Sequence, residues 1–167
     1  MMIAAMNDPN PLMFFEHKSL YRSRSGPVPE EYYEVEIGKA RHVRVGHDVS
    51  IISYGMGIIW ATEYADAHPG ISIDILDLRT LLPLDYKAIR TSVNNTGKVL
   101  ILHEDTLTGG IGGEVAAWVA QNRFEFLDAR VLRRSALVTP VPFNPDVENT
   151  FSHKPALAAK MKKWIKC

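Results

Sequence analysis

Leu76-Asp77-Leu78-Arg79-Thr80-Leu81-Leu82-Pro83-Leu84-Asp85 is the stretch that decides how this chain folds. It closes a strand-like apolar segment, turns through a proline, and places an aspartate where a helix begins. Further along, His103-Glu104-Asp105-Thr106-Leu107-Thr108-Gly109-Gly110-Ile111-Gly112-Gly113-Glu114 repeats the theme, an apolar strand running into a glycine-rich helix start. Both junctions fall at carboxyl ends of strands, where open α/β sheets place their ligands and partners. Neither contains an obvious nucleophile or cofactor lysine. The stretches that define the fold therefore suggest a chain that does not carry chemistry alone.

Outward from these junctions, helix and strand alternate. Val35 and Ile37, then Val43 and Val45, alternate with polar residues as short half-buried strands do. Val49-Ser50-Ile51-Ile52-Ser53 leads through Gly55-Met56-Gly57 into a helix with Ile58, Ala61, Thr62 and Ala65 at helical spacing, ending near His68-Pro69-Gly70. Ile71 to Leu78 reads as the next strand, and Asp85 caps a helix showing Tyr86, Ile89 and Val93. Val99 to Leu102 is continuously apolar, as a central strand covered on both faces should be. A helix from about Ile111 to Asn122 aligns Ile111, Val115, Trp118, Val119 and Asn122 on one stripe, and Arg130 to Leu137 supplies a further strand. The last helix starts with Pro155 in its first turn and buries Leu157, Met161, Trp164 and Ile165. Lys160, Lys162, Lys163 and Lys166 occupy its last turns, where cations favour the macrodipole. Such alternation predicts a mostly parallel sheet between two helical layers, an α/β/α sandwich over residues 34–167.

Residues 1–33 read differently. A turn cluster, Asn7-Asp8-Pro9-Asn10-Pro11, precedes the apolar run Leu12-Met13-Phe14-Phe15, which has strand length. Tyr21 to Pro29 follows as an extended connector rich in Ser, Gly and Pro. A lone strand exposes two unpaired edges. This arm is therefore expected to be the tail of a preceding domain plus a linker.

Composition sets outer limits. The chain has 167 residues, 46% of them apolar, so it can bury a core and is not disordered. Lys plus Arg and Asp plus Glu both count 19, and a zero net charge argues against nucleic acid or an anionic membrane as main partner. Cys167 is the only cysteine, which precludes an internal disulfide and fits a reducing compartment. No apolar run approaches the roughly 20 residues that span a bilayer, and Met1 to Met6 are too few for a signal h-region. A cytoplasmic domain is expected.

Candidate chemistry is sparse. Gly55-Met56-Gly57 after a strand opens like a dinucleotide fingerprint, with Asp77 where a ribose-binding acid would stand, but Trp60 occupies the third glycine position. A tight strand-to-helix turn accounts for it better. Gly109-Gly110 and Gly112-Gly113 either cradle an anion on free N–H groups or let another subunit's backbone approach. The six histidines form no HxxxH or HExxH pair, which disfavours a metal site. His103 and Glu104, consecutive at a strand end, should point to opposite faces. Glu16-His17-Lys18 closes the N-terminal run with three titratable groups. Ser53, Ser135 and Cys167 lack a local base and acid, so no catalytic nucleophile is assigned.

The residues also carry a resemblance. Asp8 to Arg22, with its Leu12-Met13-Phe14-Phe15-Glu16-His17-Lys18 centre, resembles the last strand of the pyrimidine-binding domain in 2-oxo acid dehydrogenase beta subunits. Ile37-Gly38-Lys39-Ala40, Asp77-Leu78-Arg79-Thr80, His103-Glu104, Leu107-Thr108-Gly109-Gly110 and Thr139-Pro140-Val141-Pro142 recur in the same order in that family. The chain is thus similar to the C-terminal, transketolase-like domain of the thiamine diphosphate-dependent decarboxylating component, of pyruvate or branched-chain type.

The resemblance implies a five-stranded sheet with one antiparallel edge strand. It implies a parent enzyme that uses thiamine diphosphate and magnesium, neither bound by this fragment, to decarboxylate a 2-oxo acid and pass the acyl group to lipoyl. The partners implied are an alpha part, a second beta part and the subunit-binding domain of the dihydrolipoyl acyltransferase, with self-association of the chain expected. Glu16, His17, His103 and Glu104 become candidates for a substrate-channel rim. Gly109, Gly110, Gly112, Gly113 and Trp118 become candidates for a subunit interface. The alternatives are an independent anion- or nucleotide-binding module using Gly55, Gly57 and the Gly109–Gly113 turn, or the C-terminal domain of a transketolase or deoxyxylulose phosphate synthase. His103 and Thr139-Pro140 speak against the last two.

Overall fold

The computed structural model describes residues 1–144, Asp146, Val147, Met161 and Trp164. Five strands, β1 (Arg41–Arg44), β2 (Val49–Ser53), β3 (Ile73–Asp77), β4 (Val99–Thr106) and β5 (Leu132–Ala136), form one sheet in the order β1-β3-β2-β4-β5. β2 pairs in parallel with both β3 and β4, β4 pairs in parallel with β5, and only β1 runs antiparallel, against β3. Helices α3 (Met56–Ala67), α4 (Tyr86–Thr96) and α5 (Gly112–Arg123) make the crossovers. The mostly parallel α/β/α sandwich with one antiparallel edge strand is the architecture expected from the sequence.

Strand alternation sorts the core into two layers. Val49, Ile51, Ile73, Ile75, Leu100 and Leu102 face α3, where Ile58, Ala61, Tyr64 and Ala65 cover them together with Met161 and Trp164. Ile52, Leu76, Val99 and Ile101 face α4 and α5, which contribute Ile89, Val93, Val115 and Val119. Residues Val49 to Ser53 are buried without exception, as a central parallel strand requires. Asp85 does cap α4: its carboxylate accepts a hydrogen bond from the Ala88 N–H at 3.0 Å and a second from the Ala40 N–H at 3.1 Å. Gly97, left-handed at φ 62°, ends the helix.

Three local expectations fail. Val35 and Ile37 join no ladder, because the place beside β3 is taken by β1. Val43 of β1 and Val45 just beyond it are exposed, and His42 turns inward. The reason is Asp74, a fully buried carboxylate on β3 that His42 Nδ1 meets at 2.9 Å. A buried charge needs a partner more than the edge needs two valines. Leu12 to Phe15, expected as a strand of a preceding domain's sheet, joins no ladder among the described residues, and Met13 and Phe15 lie open to solvent. Finally, the connector holds a short helix, α2 (Leu20–Ser23), and the N-terminus another, α1 (Met2–Asn7). The expected last helix, with Pro155, Leu157, Ile165 and its lysines, lies outside the described residues, though Met161 and Trp164 are buried as foreseen.

Candidate functional site

The chain reverses direction across the sheet at β2: β3 is laid down on one side of it and β4 on the other. Outside the carboxyl ends of β2 and β4 such an order opens a crevice. Here it is an open cleft of about 880 Å³, walled by Tyr54, Leu81, Asp105, the Leu107–Ile111 turn, Gly113, Glu114 and Arg133. Tyr54 enters it as the first residue beyond β2. Burial pushes its phenol up, and the Asp105 and Glu104 carboxylates add to the shift.

His103 lies beneath this cleft rather than on its rim. It is 1% exposed and stacks on Tyr54 with ring centroids 6.4 Å apart. Burial depresses its imidazole below the usual histidine range, with the Asp105 carboxylate opposing and the Arg133 guanidinium reinforcing. The ring explains two of the glycines. A Cβ at Gly110 would overlap the Thr106 carbonyl oxygen and stand 2.6 Å from His103 Cε1, and one at Gly112 would overlap Nε2 and Cδ2. These two glycines therefore answer a packing need inside the chain. Gly109, left-handed at φ 79°, and Gly113, whose Cβ would meet Arg133 Cζ at an ordinary 3.7 Å, remain free for a neighbour.

Glu104 points the other way, as consecutive strand residues must. Its carboxylate meets Nε2 of His17, from the arm, at 2.8 Å. The other arm candidate, Glu16, accepts a hydrogen bond from the Tyr21 hydroxyl at 2.5 Å instead. Of the four rim candidates, the structure thus brings His17 and Glu104 together and separates Glu16 and His103 from them. Trp118 stacks on Tyr86 of α4 at 4.9 Å and does not wall the cleft.

The remaining candidates are turn devices. A Cβ on Gly57 would strike the Ser53 side chain, and Gly55 has φ 54°, so the Gly-Met-Gly pattern serves a tight strand-to-helix turn. Asp77 accepts from the Arg79 N–H at 3.1 Å, supporting the left-handed backbone of Arg79. Tyr54, Asp105 and Arg133 escaped the sequence reading. The first two directly follow or continue marked strand ends, whereas Arg133 sits inside a strand and gives no local signal. Its guanidinium donates to the Leu107 carbonyl and so ties β5 to the glycine turn.

Two carboxylates, one guanidinium, one phenol and the Thr108 hydroxyl are the polar side chains of the cleft. Among the described residues no group of three His, Cys, Asp or Glu side chains is arranged to hold a metal ion, and no helix is long and apolar enough to cross a membrane.

Residues 38–156 match the family described as transketolase, C-terminal domain. The chain is 41% identical over 155 residues to the 2-oxoisovalerate dehydrogenase subunit beta of Bacillus subtilis, covering 91% of this chain and 47% of that one. It is 40% identical over 169 residues to the acetoin:2,6-dichlorophenolindophenol oxidoreductase subunit beta of Cupriavidus necator, covering 99% and 50%. To the pyruvate dehydrogenase E1 component subunit beta of B. subtilis it is 40% identical over 146 residues, covering 86% and 45%. A solved split-gene transketolase, described as an inactive beta4 tetramer, superposes with a TM-score of 0.67 at 23% identity over 83% of this chain and 46% of that one, a likeness of fold. The chain spans about half the length of the curated relatives it matches.

Proposed function

Since the chain belongs to the transketolase C-terminal domain family, we propose that it is the assembly domain of the beta part of a thiamine diphosphate-dependent 2-oxo acid dehydrogenase. The observation that carries this reading is the identity of about 40% to the beta subunits of two 2-oxo acid dehydrogenases, and to that of an acetoin oxidoreductase, along most of this chain but only about half of theirs. Those three relatives are named for different substrates. The substrate is accordingly chosen outside this domain, in the half of the enzyme that the chain does not match.

The cleft supports a non-catalytic role. Thiamine diphosphate presents a diphosphate with its magnesium, and a hard divalent ion needs several convergent oxygen ligands. Asp105 and Glu114 face the cleft with a single guanidinium, a donor set that does not suit a metal-bound diphosphate. Cofactor and metal belong with the alpha part and with the domain to which the 1–33 arm connects. In the assembled enzyme, His17 and Glu104 stand near the substrate channel, while Gly109, Gly113 and Trp118 meet neighbouring parts. The partners are the alpha part, a second beta part and the subunit-binding domain of the acyltransferase, in the cytoplasm.

Sedimentation of the chain with and without an alpha subunit from the same source tests this. Co-sedimentation is the expected result. A calorimetric titration in which the chain binds nucleotides and ignores the alpha subunit would favour a free-standing anion-binding module instead.

A further inference from the structure

The β2/β4 cleft holds three charged side chains that the rest of the fold does not neutralise. Arg133 of β5, Asp105 near the end of β4 and Glu114 in the first turn of α5 all line it. No ion pair among the described residues includes any of the three. Opposite charges therefore face one cleft without meeting.

The Arg133 side chain is half-buried, and its guanidinium is fixed in position because it donates to the Leu107 carbonyl of the glycine turn. A charge taken partly out of water is costly until a counter-charge reaches it. Gly113 lies alongside, where a Cβ would touch Arg133 Cζ at 3.7 Å, so the missing side chain leaves that side of the guanidinium open. The two acids are exposed, and Asp105 spends one oxygen on the Thr106 N–H at 2.7 Å. Beside the charges, Leu81, Leu107, Ile111 and the Tyr54 ring add apolar surface to the wall.

We infer that this cleft binds a small zwitterion, an ammonium and a carboxylate on an aliphatic body, with the carboxylate on Arg133 and the ammonium toward Asp105 and Glu114. The charge pattern selects that class. A simple anion meets two carboxylates of its own sign, a simple cation meets the guanidinium, and an uncharged ligand answers none of the three charges. A molecule carrying both signs answers all of them, and the guanidinium–carboxylate pair is the strong, directional part of the match. A cleft of about 880 Å³ admits either a free aliphatic α-amino acid or a dipeptide, which share this chemistry. The inference does not rest on the assembly role, and binding is measured on the chain alone.

The test is an NMR titration of the full chain with four probes: leucine and dileucine as zwitterions, 4-methylpentanoate without the ammonium, and 3-methylbutylamine without the carboxylate. At least one zwitterion should shift the amides of Thr108 to Glu114 and bind about tenfold or more tighter than either one-charge analogue, the difference one charge-assisted hydrogen bond makes. The ratio of leucine to dileucine affinity tells the two sources apart. Arg133→Gln should weaken the zwitterion and 4-methylpentanoate by a similar factor and spare 3-methylbutylamine. Asp105→Asn with Glu114→Gln should weaken the zwitterion and the amine and spare 4-methylpentanoate. Should Arg133→Gln fail to fold, this second variant, at two exposed positions, carries the comparison. No shift with either zwitterion at concentrations on the order of 10 mM, beyond the usual range for metabolites, would overturn the inference. So would a one-charge analogue that binds as tightly as both zwitterions.

Discussion

The imidazole of His103 and the missing side chain of Gly112 occupy the same space: a Cβ there would overlap Nε2 and stand 2.7 Å from Cδ2 of the ring. At Gly110 a Cβ would stand 2.6 Å from Cε1 and would also overlap the Thr106 carbonyl oxygen. Gly110→Ala and Gly112→Ala should therefore each cost about 1–3 kcal/mol, the usual cost of overpacking a closed site. Adding His103→Ala should recover part of the Gly112→Ala loss, with a coupling above about 0.5 kcal/mol in a double-mutant cycle, and less of the Gly110→Ala loss, since the Thr106 carbonyl stays in place. Strict additivity in denaturant titrations would show that the glycines serve something other than the ring. Gly113→Ala should leave stability unchanged, and so Gly113 rather than Gly112 is the position at which to test an interface by sedimentation.

The same ring gives a pH dependence. His103 is held below the ordinary histidine range by burial, so the unfolded chain takes up its proton before the folded one does. Stability is complete above the unfolded value of about 6.5. It falls as pH drops from there toward the depressed folded value. In His103→Gln the slope of stability against pH in that window should flatten, as read from urea midpoints at successive pH values. An unaltered slope would assign the acid lability to other groups.

Asp74 is the other buried commitment. Its carboxylate accepts from Ser92 Oγ at 2.5 Å and meets His42 Nδ1 at 2.9 Å, while Ser50, Ser92 and Thr96 continue the network between β2 and α4. Ser92→Ala removes a donor from a buried acceptor and should cost about 1–3 kcal/mol. Replacing His42 by alanine should loosen β1 selectively, seen as faster hydrogen exchange at Arg41 to Arg44 with β2 unaffected. A uniform effect across the sheet would contradict the role given to that pair.

Asp85 links the decisive sequence stretch to the sheet edge. One oxygen caps α4 through Ala88, and the other receives the Ala40 N–H just before β1. Asp85→Ala should cost about 0.5–2 kcal/mol as a lost cap. It should also raise exchange at Ala40, which a cap alone would not do.

The parts of the fold that were legible in the sequence are those whose signals are local. Asp85 before an amphipathic run and the unbroken Val99 to Leu102 need no distant partner to be read. What was not legible depends on pairs far apart in the chain. His42 turns inward only because Asp74 is there, which reverses the face that Val43 and Val45 suggested. Gly110 and Gly112 look like an interface or an anion cradle until His103 is placed beneath them. The His17–Glu104 contact spans the arm and β4, and neither residue's surroundings in sequence announce the other. Leu12 to Phe15 has the composition of a strand, but a strand requires an edge to pair with.

The central claim is that this chain supplies assembly and not chemistry. Purified chain is mixed with magnesium, thiamine diphosphate, a 2-oxo acid and an artificial electron acceptor, and turnover is followed by dye reduction. The account predicts a rate equal to the buffer blank, with activity arising only when the alpha part and the remainder of the beta part are added. Turnover by the chain alone, surviving repurification, would place the catalytic groups among the residues assigned here to packing and docking.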